Sequence, residues 1–195
     1  MKAHARDVPL AADLEMHFVT GGYVGLCRLG AGEVNVCGLF ATRGPVPQLA
    51  EDWQERLRGP ADSVLHERLH AARFLAESFR AVAGLDLRPA SATDTAECGV
   101  GEAVTMIPPV TGNGMSMAFE SARWAVDPLV AYSRGELAWD EARLAVARQC
   151  DTGFARRLRW ARWLQRMLMQ PGSREVLLWA GRADWLWRVV FTRTR

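Results

Sequence analysis

The sequence lacks most of the features that would assign a function at sight. Its four cysteines form no C-x-x-C pair, no signal peptide opens the chain, and no G-x-S-x-G elbow, internal repeat or low-complexity linker is present. No window reaches the run of about 18 apolar residues that a membrane-spanning helix needs. These absences argue against secretion, a membrane span and a serine hydrolase. We therefore expect a reduced, soluble, cytoplasmic protein.

The chain has 195 residues, of which 49% are hydrophobic, and a formal net charge of +2. This length supports a buried core and about one domain. The charge is uneven, because from residue 154 onward many arginines face only Glu175 and Asp184. Arginines on helices usually form a solvated face or pair with carboxylates elsewhere. No nucleic-acid motif accompanies them, so nucleic acid is not an expected partner.

Alternating residues predict strands near the start of the chain. In "DLEMHFVTGGYVGLCRLGAGEVNVCGLF", Leu14, Met16 and Phe18 point one way while Glu15 and His17 point the other. The "GAG" at 30–32 separates two such runs, which predicts an antiparallel meander.

Helical periodicity dominates the rest of the sequence. It predicts helices over 47–58, 60–83, 115–132, 139–169 and 173–191. An extended return with a brief strand at "AECGVGE" separates the second of these from the third. The N-terminal stretch "MKAHARDVPLAADLEMHF" enters strand structure without a cap or edge protection, which suits the middle of a larger protein.

The stretch "GVGEAVTMIPPVTGNGMSMAFESA", residues 99–122, carries most of the functional information. Pro108 and Pro109 stiffen the connection, whereas Gly112 and Gly114 permit unusual backbone angles and let a flat ligand approach the main chain. A helix that starts here exposes its first N–H groups, which favour negative charge. The spacing alone leaves two interpretations open, a ligand cradle or close helix packing.

This stretch resembles the second flavin motif of FAD-dependent oxidoreductases in the p-hydroxybenzoate hydroxylase and geranylgeranyl reductase superfamily. That motif has Gly-Asp-Ala, a hydrophobic stretch with proline, Gly-x-Gly and a helix. The resemblance implies an FAD-dependent oxidoreductase of the reductase or the monooxygenase type, with FAD as cofactor, NADH or NADPH as a candidate electron donor and a small molecule as substrate. It implies flavin contacts at the following positions: Gly101, Glu102, Pro108, Gly112, Asn113, Gly114 and Met115. Glu102 replaces the family's Asp and is one methylene longer.

The resemblance extends to "GGYVGLCRLGAGEVNVCGLF", which is similar to a strand pair of the family's substrate domain. It places Tyr23 and Asn35 on the substrate side of the flavin. On the residues alone, the two could equally form a polar pair across adjacent strands.

The superfamily's G-x-G-x-x-G opening is absent. The resemblance therefore implies the C-terminal portion of a two-domain flavoprotein, whose Rossmann portion precedes Met1 or belongs to a separate chain, and weak FAD binding by residues 1–195 alone. The expected fold class is α/β, in the mixed α+β sense. The expected parts are a partial substrate domain over 1–90, an FAD-domain return over 91–132 and a helical region over 133–195.

Two other functions remain as alternatives. The "HERLH" sequence at 66–70 has the H-E-x-x-H spacing of zinc metalloproteases, although it lacks a clear third ligand beyond Glu77 and places Arg68 beside the metal position. The other alternative is a non-catalytic, helix-rich scaffold that contacts a membrane surface. It depends on the C-terminal arginines and on tryptophans that suit either headgroup depth or core packing, namely Trp160, Trp163, Trp179, Trp185 and Trp187.

Overall fold

The computed structural model describes residues 1–41, 52–88 and 90–170, together with 172, 173, 175, 188 and 192. The chain divides into two units. The first is Met1–Leu85 with Met169–Pro171, and the second is Asp86–Leu168 with Gly172–Arg195. This division does not test the three parts expected from the sequence, 1–90, 91–132 and 133–195, which stay a prediction.

The first unit contains a five-stranded antiparallel sheet among its described residues. Its strand order is β2-β3-β4-β1-β5. The strands are β1 Lys2–Arg6, β2 Leu14–Val19, β3 Gly22–Arg28, β4 Glu33–Phe40 and β5 Arg73–Arg80. The predicted meander is confirmed as β2, β3 and β4, with a short 3-10 turn at Gly30–Gly32 between the last two. The fold is mixed α and β, as expected.

One face of the sheet carries the core of the first unit. Val36 on β4 lies between Leu26 on β3 and Ala3 on β1, and all three side chains are fully buried. Helices α1 (Trp53–Arg58) and α2 (Val64–Leu69) contribute leucines to the same cluster. The opposite sheet face carries Leu14, Met16 and Phe18, because successive residues in a strand alternate between faces.

The helix predicted over 60–83 is wrong for most of its length. It ends as α2 at Leu69, and Arg73–Arg80 forms β5 against β1. Phe74 and Phe79 contact the Trp53 ring, with centroid distances of 5.2 and 4.4 Å. This packing, with the β1 backbone partners, outweighs a helical pattern of apolar residues.

Strand β1 was not predicted, although it occupies an inner position of the sheet. It lies between β4 and β5 and hydrogen-bonds to both. Within the N-terminal stretch that looked unprotected, β1 therefore has neighbouring strands on both sides, whereas β2 pairs only with β3 in the described sheet.

The second unit is built on two long helices. Helix α3 spans Gly114–Ser133 and α4 spans Trp139–Met169, so both predictions are confirmed. Their buried faces meet in a cluster that includes Met117, Ala125, Val146 and Phe154. Arg157 of α4 joins Glu120 of α3 through two guanidinium–carboxylate contacts of 3.0 Å each.

The strand predicted at "AECGVGE" is wrong. Residues 96–100 carry no regular structure, and Gly101–Ala103 is a 3-10 turn. In the described part of the second unit no strand lies alongside to accept the backbone hydrogen bonds of a strand there.

Two predicted helices fall wholly or partly on residues that the structure does not describe. The helix predicted over 173–191 lies almost entirely outside the described residues. Residues 47–51 of the helix predicted over 47–58 also lie outside them, and the described part of that helix contains α1.

The Asp151 carboxylate holds the loop before the glycine-rich stretch. It accepts hydrogen bonds from the Ser91 hydroxyl at 2.6 Å and the Ala92 N–H at 2.7 Å, and from both the N–H and the hydroxyl of Thr93. Burial raises the pKa of Asp151, but these four hydrogen bonds outweigh burial and hold the pKa below its usual value. The ionised form therefore stabilises the folded state.

We expect Asp151→Asn to destabilise the chain by about 2 kcal/mol at neutral pH, because an amide cannot accept all four hydrogen bonds. The folded pKa lies below the unfolded one, so the stabilisation is present above the unfolded pKa and is lost as pH falls through the folded value. Urea unfolding should show a smaller loss of stability in the variant than in the parent between about pH 5 and pH 3. Asp127→Asn, an exposed change on α3, is the control and should behave like the parent.

Candidate functional site

The Gly-Glu turn of the glycine-rich stretch is fixed onto helix α3. Gly101 is buried, with a φ of 61°, and its N–H donates to the Ser121 hydroxyl at 2.8 Å. That hydroxyl is buried and donates to the Met117 carbonyl one turn earlier in α3. A Cβ at position 101 would lie 3.0 Å from the Ala118 Cβ. Glycine is therefore required here both by the left-handed backbone and by the close approach of the helix.

The fixed turn brings Glu102 beside the start of α3. A Cβ placed on Gly114, the first residue of the helix, would lie 3.4 Å from Glu102 Oε1. Glu102 is exposed. Glu102 and Gly114 belong to the two halves of the proposed motif and have eleven residues between them in the sequence. The structure places them next to each other in the second unit.

The connection between these halves begins with a proline-containing turn and ends at an exposed glycine. Pro108 is fully buried, and Pro109–Thr111 forms a 3-10 turn in which the Thr111 hydroxyl donates to the Pro108 carbonyl at 3.0 Å. Gly112 ends the turn in the left-handed region, with a φ of 64°. It is exposed, and a Cβ there would meet nothing within 4 Å. The main chain thus presents a bare surface at Gly112.

The N-terminus of α3 carries backbone donors, and the first turn of the helix contributes no acid of its own. The first N–H of the helix with an intrahelical partner belongs to Met117, which donates to the Asn113 carbonyl at 3.1 Å. The N–H groups of Gly114, Met115 and Ser116 precede it and have no acceptor within the helix. The Asn113 side chain does not cap the helix, and the first turn contains no acidic residue. The positive potential of this terminus acts on Glu102, which lies beside Gly114, and on any ligand that reaches the same N–H groups.

The residues predicted for the substrate side lie in the first unit, on the sheet face opposite its core. The strand register sets Cys27, not Tyr23, across from Asn35. The cross-strand polar pair is therefore excluded. The Tyr23 hydroxyl and Asn35 Oδ1 are both buried and have no hydrogen-bond partner in the described part of the chain. Burial, with a smaller contribution from Cys37, raises the pKa of Tyr23, so this phenol is neutral and can donate a hydrogen bond.

The "HERLH" segment lies on α2 and at its end. The His66 and His70 rings stack with centroids 6.3 Å apart, and Arg68 Nε contacts Glu15 at 3.2 Å. Across residues 1–41, 52–88 and 90–170, no group of three or more His, Cys, Asp or Glu side chains is placed to hold a metal ion. The segment therefore gives the metalloprotease alternative no support beyond its spacing.

Sequence reasoning missed Ser121, the residue that fixes the Gly-Glu turn. A serine on the apolar face of an otherwise amphipathic helix is the pattern that could have identified it, because a buried hydroxyl needs hydrogen-bond partners.

In the part of the chain that the structure describes, none of the helices combines the length and the apolar character that a membrane-spanning helix requires.

We expect Gly101→Ala to destabilise the chain more than Gly135→Ala, measured by urea unfolding. Both glycines have a positive φ, but a Cβ at Gly135 would meet nothing within 4 Å, whereas one at Gly101 would press on Ala118. Gly135→Ala should cost about 1 kcal/mol from backbone strain alone. Equal losses in the two variants would contradict the close contact between the turn and α3.

Comparison with known proteins agrees with this architecture. No protein-family model matches the sequence, and no curated protein matches it. Among solved structures, the chain is similar to a geranylgeranyl bacteriochlorophyll reductase-like protein from Thermoplasma acidophilum, with a TM-score of 0.58 and 16% sequence identity. The match covers 87% of this chain and 42% of that protein, so this chain spans less than half of its neighbour's length. At this identity the likeness shows a shared fold.

Proposed function

We propose that this chain forms the flavin-ring side of an FAD-dependent oxidoreductase of the reductase type. The observation that carries the proposal is the exposed start of α3 beside Glu102, where bare backbone donors meet an accessible carboxylate. The reductase-like fold of the structural neighbour supports the same assignment.

The residues present fit a flat, electron-accepting ring. Gly112 is exposed and open, so a planar ligand can approach its main chain without displacing a side chain. Gly114 carries no Cβ, which would lie 3.4 Å from Glu102 Oε1, so the Glu102 carboxylate has room beside the helix start. Pro108 and Pro109 fix the connection, so little order needs to be gained when a ligand binds.

Bound flavin would supply hydride transfer to a substrate double bond, and the chain's own contribution is electrostatic. Reduction places negative charge on the pyrimidine edge of the ring. The N–H groups of Gly114 and Met115, with the dipole of a helix of 20 residues, favour that charge without reorganising. The helix terminus therefore favours the reduced form of a bound ring over the oxidised form.

Glu102 is the proposed acceptor for a hydroxyl of the cofactor's ribityl chain. Its carboxylate lies beside Gly114, which places it at the side of the helix start where the ring would lie. Tyr23 and Asn35 are the proposed substrate contacts, since their buried polar atoms have no partner within the described residues. NADH or NADPH is the proposed source of electrons.

The nucleotide half of FAD needs a further binding portion, which we propose comes from a Rossmann segment in the same protein or a separate chain. Helix α3 offers an apolar surface for it beside the flavin site. Met115 is 77% exposed and Phe119 is 75% exposed, and Val126 continues the same helix face two turns later.

We expect the full chain to bind riboflavin weakly and Gly114→Val to weaken that binding by roughly tenfold, because the valine side chain occupies the space before the first N–H groups. The chain can be titrated into riboflavin while flavin fluorescence is followed. Gly30→Val is the control, because it introduces the same side chain at a glycine of the sheet unit where a Cβ would meet nothing within 4 Å. It should leave binding unchanged.

Binding should also raise the reduction potential of riboflavin, because the helix terminus favours the reduced anion. Potentiometry with saturating parent protein measures this shift, which Gly114→Val should remove. Equal riboflavin affinity in the parent and Gly114→Val, or a lowered potential, would overturn the assignment of the ring to this terminus.

A further inference from the structure

A cleft of about 420 Å³ lies within the second unit, and none of residues 112–116 at the start of α3 lines it. One wall is the face of α4 that carries Asp151, Leu158, Arg159 and Arg162. The facing wall comes from the loop around Ser91 and from Val104 and Thr105. This volume lies within the range of about 300–1,000 Å³ that is usual for small-molecule sites.

The two ends of the cleft differ in charge and in how well their polar groups are satisfied. Asp151 and Arg162 are eleven positions apart on α4, which corresponds to about 16 Å along the helix axis. At the Asp151 end, the carboxylate already accepts four hydrogen bonds from residues 91–93. These four hydrogen bonds give Asp151 a structural role at that end, in holding residues 91–93.

The arginine end is not satisfied. Within the described residues, neither Arg159 nor Arg162 forms an ion pair, and Arg162 Nη1 is buried without a hydrogen-bond partner. Burial, followed by repulsion from Arg166, lowers the pKa of Arg162. A buried guanidinium donor without a partner is costly, and an anion would satisfy Arg162 Nη1. Arg159, three residues earlier on α4, is exposed and lines the same cleft, so it adds a second positive charge there.

Thr105 provides a second, independent donor on the opposite wall. Its side chain is 5% exposed and lines the cleft, and its buried hydroxyl has no partner in the part of the chain that the structure describes. A buried hydroxyl without a partner costs free energy, so few remain in folded proteins unless a ligand or water completes them.

We propose that this cleft binds a phosphate monoester of a largely apolar small molecule, with the phosphate held by Arg159, Arg162 and the Thr105 hydroxyl. Two guanidinium groups match a group that carries a charge of about −1.5 to −2 at neutral pH. Their planar forks suit the bidentate geometry of phosphate oxygens. Ala155 and Leu158 on the α4 wall and Val104 on the facing wall are apolar and would contact the organic part.

Isothermal titration calorimetry of the full chain with hexyl phosphate and with inorganic phosphate tests the proposal. Both should bind, and hexyl phosphate should bind more tightly because its chain covers the apolar wall. Arg162→Gln should weaken binding of hexyl phosphate by roughly tenfold or more, and Thr105→Val by a smaller factor, since each removes a donor to the anion. Arg156→Gln is the matched control, because it removes the same charge from an exposed position of α4 outside the cleft.

A vesicle sedimentation assay distinguishes a lipid headgroup from a soluble phosphate ester as the ligand. Phosphatidylcholine vesicles with and without phosphatidic acid are sedimented with the parent and Arg162→Gln chains. Sedimentation that depends on both phosphatidic acid and Arg162 supports the site with a lipid headgroup as ligand, and binding of hexyl phosphate alone supports a soluble ligand. The proposal is overturned if no phosphate probe binds, or if Arg156→Gln weakens binding as much as Arg162→Gln does. Unchanged near-ultraviolet circular dichroism confirms that each variant is folded.

Discussion

The candidate site depends on one buried hydrogen bond, from the Gly101 N–H to the Ser121 hydroxyl. It fixes the turn that carries Glu102 onto α3, while the serine donates to its own helix. Because the turn is fixed at that point, Glu102 reaches the start of the same helix, seven residues before Ser121. Without this hydrogen bond, the turn that carries Glu102 would not be fixed to α3 at Ser121, and its carboxylate would not be held beside the start of the helix.

The same constraint explains the glycines around the site. Gly101 permits the turn to approach Ala118, and Gly112 ends the proline-stiffened connection in the left-handed region. Glycine at 114 gives the Glu102 carboxylate room beside the helix start. These glycines have different local roles, because Gly101 is buried and fixes the turn, whereas Gly112 is exposed. The proposed ring is assigned to the exposed backbone that begins at Gly112, beside the Glu102 carboxylate.

The sequence predicted those parts of the fold in which local pattern and tertiary packing agree. Helices α3 and α4 follow from periodicity, because their apolar residues face the core in which they are buried. The β2-β3-β4 meander follows from its alternating pattern, although the apolar residues of β2 lie on the face opposite the core. The prediction failed at β5, where a helical pattern is overridden by pairing with β1 and by the Trp53 ring. Such long-range contacts have no local signature.

The candidate site was predictable in part. The glycines, the prolines and Glu102 stand in one stretch of sequence, so their types indicated a cradle. Ser121 and the four hydrogen bonds to Asp151 were missed because they join residues that are 20 and about 60 positions apart. The Tyr23 and Asn35 roles stay predictions, although the register now separates the two side chains.

Backbone amide shifts in nitrogen-15 NMR spectra, followed as riboflavin is added to the full chain, test the central claim most directly. The account predicts that the largest shifts occur at Gly112, Gly114 and Met115, and that the amides of the sheet core, such as Val36, stay unchanged. Shifts confined to other regions, with the amides at 112–115 unmoved at saturation, would contradict the placement of a flavin ring at the start of α3.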